Sequence, residues 1–319
     1  ARSLRPNRAY IDLDDDQLAE TAATDPGGFV RGLPERVTLD EVQRVPEILR
    51  AIKIAVDTDR RPGRFILTGS ANLLLLPRAS ESLAGRMEML RLHPLTESEK
   101  ERTPGKFLST LLAGQLAPEI REASQLDPLD LPHRLLTGGY PEVRARSPQR
   151  TRSWHRNYLE TLFERDAVEI STIRDSSLLN RLITRLAVQS GSILNRSSLA
   201  RELGMDRETV HHYLEVLERL FLVRLLPAWH RNRGKRLVKS PKPHLVDSGL
   251  AGTLMDLRAE DWNGRRQDFG HLLESFVVQQ LVAQSRWTDP SLHFYHYRDR
   301  DQIEVDCVIT RGNKVWGVE

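Results

Sequence analysis

The chain has 319 residues, longer than one hydrophobic core usually serves, and so predicts two or three domains. Its 39% hydrophobic and 29% charged content is that of an ordinary globular protein and excludes disordered, repetitive and collagen-like chains. The 47 basic and 44 acidic residues leave a net charge of +3, and no apolar run approaches the ~20 residues of a membrane span, so no membrane partner is expected.

The opening residues, ARSLRPNR, have no apolar centre and are not a secretory signal. AYIDLDD then reads as a short strand running into an acidic turn. A helix-like stretch follows and ends at the breaker Asp25-Pro26-Gly27-Gly28. RVTLDEVQRVPE reads as a buried strand, Val37 to Leu39, ending in two carboxylates. From Pro46 onward Ile48, Leu49, Ile52 and Val56 recur at helical spacing. The turn Arg61-Pro62-Gly63 leads into a second strand, RFILTGS. Strand, helix and strand in this length predict a βαβ unit and a parallel sheet.

The carboxylates Asp40 and Glu41 have a use in nucleotide hydrolysis. The first can hold a water of a Mg²⁺ shell, and the second can orient an attacking water. They lie at the carboxyl end of a parallel strand, where open α/β sheets place their ligands. The next strand ends in Thr68-Gly69-Ser70, whose hydroxyls reach the same edge and can sense a γ-phosphate. Many strands end in acids; the second hydroxyl-tipped strand at βαβ distance strengthens the nucleotide reading.

Residues 97–132 read as helical, and GGYPE at Gly138–Glu142 as a Gly-Pro turn. Long helices are predicted from about Thr151 to Asp166 and from about Ser177 to Gln189. Arg144, Arg146, Arg150, Arg152 and Arg156 form a basic cluster, suited to a phosphate backbone or to a solvated face.

SSLARELGMDRETVHHYLEVLERLFLV predicts a helix-turn-helix. Leu199, Ala200 and Leu203 face inward, Gly204 supplies a left-handed turn, and Asp206 is the N-cap of the second helix. Val210, Tyr213, Leu214 and Leu217 form its buried stripe. Phe221 to Leu226 followed by RNRGKRLV reads as strand, basic turn and strand, completing a winged helix. The outward positions Arg207 and His211, with Arg231, Arg233, Lys235 and Arg236 of the wing, are the candidate DNA contacts. Glu208 and Glu215 on the same helix face weaken major-groove binding, and protein docking is the alternative. Lys239 and Lys242 extend this second basic cluster.

A helix from about Gly270 to Gln284 precedes the strands LHFYHYR and IEVDCVI and a third beginning at KVWGVE. His293 and His296 fit alternate faces of a strand. Cys307 is the sole cysteine, so no internal disulfide can form, and a reducing, cytoplasmic location is expected.

VTLDEVQRVPEILRAIK, RPGRFILTGSANLLL and ESLAGRMEMLRLHPLTESE resemble the Walker B, sensor and post-sensor segments of a prokaryotic AAA-superfamily P-loop ATPase family with an uncharacterised C-terminal region. GGYPE, WHRNYLETLFERDA, the helix-turn-helix, KRLVKSPKPHLVDSGLA, GHLLESFVVQQL and YRDRDQIEVDCVI resemble it too, in order and spacing. The resemblance implies a RecA-like ATPase core, a winged helix and a restriction-endonuclease-like α/β domain. It implies ATP and Mg²⁺ as cofactors, with Asp40 on the Mg²⁺ side, Glu41 catalytic, and Ser70 with Thr68 as sensor. Arg86 in the LAGR turn is then the candidate arginine finger reaching a neighbouring subunit of a homo-oligomer; a salt-bridged surface residue is the other reading. The expected bounds are 1–105 for the core, 106–150 for a helical lid, 151–255 for helices and winged helix, and 256–319 for the nuclease-like domain.

The Gly-rich phosphate loop GxxxxGK[ST] is absent from these residues, and the first residue is Ala rather than Met. The expectation is a truncated chain that binds ATP poorly or not at all. For the nuclease-like end, Glu274, Asp306 and Glu319 resemble a metal-holding E…D…E set of the PD-(D/E)xK kind, with Glu304 on the face of Asp306. The leading expectation is an ATPase acting on or near DNA. The alternatives are a nucleic-acid-binding regulatory module with an inactive core, or a Mg²⁺-dependent nuclease.

Overall fold

The computed structural model describes residues 8–69, 83, 85–116, 130–166, 176–231, 239–299 and 301–319. They fall into two compact units, one ending at Arg91 and the other beginning at Leu92. Among them no helix is long and apolar enough to cross a membrane.

The first unit is built on a parallel sheet of β1 (Ala9–Asp12), β2 (Val37–Asp40) and β3 (Phe65–Leu67), in that order. The register sets Asp12 opposite Asp40 and Leu39 opposite Leu67. Helices α1 (Asp16–Thr24) and α2 (Pro26–Gly32) connect β1 to β2, and α3 (Ile48–Thr58) connects β2 to β3. The expected breaker is one residue wide. Asp25 ends α1 and, through its carboxylate on the Gly28 amide, caps α2, with Pro26 preset at the first helical position. Gly27 and Gly28 therefore sit inside a helix. Val37, Leu39, Ile48, Leu49 and Ile52 are buried between sheet and helices, each contributing about 1.5–3 kcal/mol by leaving water.

In the second unit, α4 (Glu97–Glu101) starts on a reciprocal cap between Thr96 and Glu99. It is followed by α5 (Phe107–Leu112), α6 (Asp130–Thr137), α7 (Pro148–Thr161) and α8 (Ser176–Val188). The predicted long helix changes its winding to a π-type turn at Leu162–Asp166. Next come α9 (Arg196–Leu203) and α10 (Arg207–Arg219), joined through Gly204 at φ 67°, with Asp206 capping the Thr209 amide at 2.8 Å. The antiparallel pair β4 (Val223–Leu226) and β5 (Lys242–Leu245) follows. The strand β5 lies in KPHL; the RLV segment expected to form the returning strand lies outside the described residues. Helix α11 (Ser248–Leu254) and the 23-residue α12 (Arg266–Thr288) lead to the antiparallel sheet β6 (His293–Arg298), β7 (Glu304–Arg311) and β8 (Lys314–Val318).

The motifs GGYPE, WHRNYLE and LVDSGL meet at Asp247. Its carboxylate accepts from the Gly139 amide at 2.6 Å and the Leu250 amide at 2.8 Å, capping α11. Burial raises its pKa. His155 of α7, fully buried, bonds Thr253 of α11 through Nδ1 at 2.8 Å.

Candidate functional site

Asp40 closes the central strand of the parallel sheet, at its carboxyl edge. Thr68, just past β3, donates its hydroxyl to Asp40 Oδ1, and Tyr10 of β1 donates to Oδ2. The strands on either side therefore both hold this carboxylate. Partial burial works against its charge, but the Thr68 and Tyr10 bonds outweigh it and keep its pKa below the ordinary 3.8. An ionised, oriented and still accessible carboxylate fits the water shell of Mg²⁺.

Glu41 takes a left-handed backbone, φ 52° and ψ 42°, directly after the strand. Its carboxylate accepts from the Gln43 amide group. A non-glycine residue held in this region carries strain, which turns the chain sharply at the sheet edge. Ser70 lies outside the described residues; of the two sensor candidates the structure describes Thr68. Arg86 forks onto Asp57 of α3, Nε to Oδ1 at 2.6 Å and Nη2 to Oδ2 at 3.1 Å. This bidentate pair matches the surface ion-pair reading of Arg86 within the subunit.

In the second unit the structure gathers Glu274 of α12 and Glu304 and Asp306 of β7 around one cation. Lys242, the first residue of β5, is 1% exposed, and its Nζ lies 2.8 Å from Glu274, 2.5 Å from Glu304 and 3.2 Å from Asp306. This corrects the sequence reading of Lys242, which is neither a solvated nor a phosphate-facing cation. Burial opposes its charge, but the bonds to Glu274 and Glu304 outweigh it and raise its pKa. Burial pushes Glu274 up to about 7, with Lys242 pulling the other way. Gly191, at φ +76°, lies so close that a Cβ there would meet the Glu274 carboxylate at 2.4 Å.

Glu319 follows β8 and is exposed. The register Cys307 opposite Val318, carried one step on, sets it opposite Asp306. It is not among the partners of Lys242. Among the described residues, no three His, Cys, Asp or Glu are arranged to hold a metal ion. A divalent cation would have to displace the Lys242 ammonium. Beside this centre His244 bonds Ser275, and Ser275 bonds Ser190, at 2.9 and 2.8 Å; burial pushes His244 down to about 3.

Arg207 and His211 are exposed on α10, and His211 Nε2 lies 3.5 Å from Glu215, which also pairs with Arg219. Arg231 is exposed; Arg233, Lys235 and Arg236 lie outside the described residues.

Residues 1–100 match the model of an AAA domain. Residues 129–261 and 269–319 match two domains of unknown function, DUF8612 and DUF4143. The parallel sheet and the two terminal matches support an AAA-like ATPase family. The chain is 31% identical over 301 residues to an uncharacterized protein of Mycobacterium tuberculosis and, to the same extent, to one of Mycobacterium bovis. Each alignment covers 94% of this chain and 61% of the relative, so the chain spans about three fifths of their length. An uncharacterized protein of Haemophilus influenzae is 24% identical over 290 residues, covering 88% of this chain and 64% of the relative. No solved structure matches.

Proposed function

We propose that the first unit is the nucleotide-hydrolysing core of an AAA-type ATPase. The observation that carries this reading is Asp40 at the carboxyl edge of the central parallel strand, bonded by Thr68 from one neighbour and Tyr10 from the other. Asp40 would hold a water of the Mg²⁺ shell of ATP, and the metal supplies charge neutralisation at the phosphates when bound. Glu41, turned out of the strand by its left-handed backbone, orients the attacking water. Thr68 bonds the carboxylate that faces the metal and so couples the γ-phosphate state to β3.

We read α9, α10, β4 and β5 as a winged helix whose exposed Arg207, His211 and Arg231 contact DNA, so that the whole protein works on or near DNA. Nucleotide state would be relayed to it and to the C-terminal domain. The Lys242-centred carboxylates favour a structural role for that domain over a metal-dependent nuclease. The experiment is Mg²⁺-dependent ATP hydrolysis by the full-length protein, with and without duplex DNA, beside Glu41→Gln. Hydrolysis lost in the variant supports the core reading, and stimulation by DNA supports the partner. A folded protein without hydrolysis reduces the core to a scaffold.

A further inference from the structure

A cavity of about 290 Å³ opens in the second unit beside α6, the start of α7 and the turn that follows α11. Arg146, Arg152 and Arg258 line it, with Glu260 as the one acidic residue among the lining. Three positive charges less one negative leave +2. Arg146 donates Nε to the Glu142 carbonyl at 2.8 Å, which anchors the side chain without neutralising it. Arg152 and Arg258 form no ion pair with any described residue. Thr151 and Thr253, both buried, also line the wall.

The first turn of α7 borders the same space. Its N-cap, Ser147, makes no side-chain bond to the helix amides, and Pro148 fills the first position. The positive end of a 14-residue helix therefore adds to the field of the arginines. Arg146 and Arg258 are exposed and Arg152 half-buried, so water screens their mutual repulsion; an anion held among them would exchange that water for charge-assisted bonds.

We propose that this cavity binds a phosphate group carried as a terminal monoester. The dianion matches the excess of two positive charges, whereas a carboxylate supplies only one negative charge. Planar guanidinium forks pair two oxygens at a time, which suits a phosphate with three free oxygens. The volume lies just below the ~300–1,000 Å³ of ordinary ligand pockets, enough for a phosphate and a compact attached group. An internal phosphodiester of a duplex carries one charge and is flanked by sugars on both sides, so it fits this concavity less well. The terminal phosphate can come from a small phosphorylated molecule or from a 5′-phosphorylated nucleic-acid end. This inference stands apart from the ATPase reading, since none of its residues belongs to the first unit.

The test is calorimetric titration of the protein with inorganic phosphate, with acetate, and with DNA duplexes bearing or lacking a 5′-phosphate. Arg152→Gln and Arg258→Gln are compared with wild type, and their circular dichroism and melting temperature confirm the fold. The expected result is phosphate binding weakened about tenfold or more by each variant, the loss of one charge-assisted pair. A 5′-phosphate that tightens DNA binding, and loses that effect in the arginine variants, assigns the source to nucleic-acid ends. Phosphate binding with no such effect assigns it to a small molecule. No phosphate binding up to about 10 mM (near the weakest affinities worth calling specific), acetate binding as tight as phosphate, or unchanged binding in both folded variants overturns the proposal.

Discussion

Lys242 Nζ lies 2.8 Å from Glu274 Oε1, joining the first residue of β5 to α12. Glu304 and Asp306 complete the shell from β7, so one ammonium ties three elements together. Removing one partner of a buried ionic group costs about 3–5 kcal/mol, because the remaining charges stay desolvated. Lys242→Met is expected to lose that much stability in urea denaturation. Lys242→Met combined with Glu274→Leu recovers part of it, since an apolar pair carries no desolvated charge. A surface role for Lys242 would instead leave the urea midpoint of the single variant unmoved.

Burial of Glu274 sets a pH dependence. Burial raises the folded pKa of Glu274 to about 7, from an ordinary 4.5. The folded state holds this proton more tightly than the unfolded chain. Its stabilising contribution is fully present below pH 4.5 and is lost as pH rises through about 7. Glu274→Gln keeps an acceptor for Lys242 but does not titrate. Urea midpoints measured from pH 4 to pH 8 (a range spanning both values) should show wild type losing ground to Glu274→Gln as pH rises. Parallel curves would mean that Glu274 titrates normally.

Gly138 is the position where the fold leaves no room for a side chain. Its φ is +69°, and a Cβ would meet Asp247 Oδ1 at 2.3 Å. Asp247 cannot retreat, because it caps α11 and receives the Gly139 amide. Gly138→Ala combines left-handed strain with overpacking, an expected loss of at least about 2 kcal/mol. Gly63→Ala is the control, for Gly63 has φ +73° and open space around it. That substitution should cost only about 1 kcal/mol. Equal costs at the two sites would remove Asp247 from the explanation.

How much of this was legible in the sequence depends on how far apart the interacting residues stand. The parallel sheet could be read because each signal is local: Val37 to Leu39 is a short apolar run, and Ile48, Leu49 and Ile52 repeat within one helix. The turn at Gly204 and the cap at Asp206 are local as well. Lys242 was misread because its partners lie 32 to 64 residues downstream, at Glu274 and Asp306, and a lysine between prolines looks like surface. The signal that marked it is its place in a four-residue strand buried throughout. The bond from Gly139 to Asp247 spans 108 residues, so GGYPE and LVDSGL showed only as separate turn signals. Tyr10 was missed as a partner of Asp40 because only the parallel register brings the two side chains together.

The role proposed for Glu41 can be separated from its backbone strain. Its φ of 52° costs a side-chain-bearing residue about 1 kcal/mol that glycine avoids. Glu41→Gly is therefore expected to be more stable than Glu41→Ala by about 1 kcal/mol. Both variants should lose ATP hydrolysis by at least ~100-fold, the usual scale for a positioned base. Thermal melts and single-turnover hydrolysis by the full-length protein check the two halves separately. Hydrolysis retained in either variant would remove Glu41 from the catalytic role.

The pairing of Arg86 with Asp57 bears on the proposed finger. Two guanidinium nitrogens are engaged with one carboxylate, and Asp57 is held below its ordinary pKa by the Arg86 bond. If Arg86 acts on the nucleotide of a neighbouring subunit, this internal fork competes with that role. Under that role, Asp57→Asn weakens the fork and should raise ATP turnover by the full-length protein several-fold, while Arg86→Ala lowers it by ~10³-fold or more. Because water screens this pair, Asp57→Asn should leave stability nearly unchanged. A fall in turnover for Asp57→Asn, with stability unchanged, would show that the pair positions Arg86 rather than restraining it.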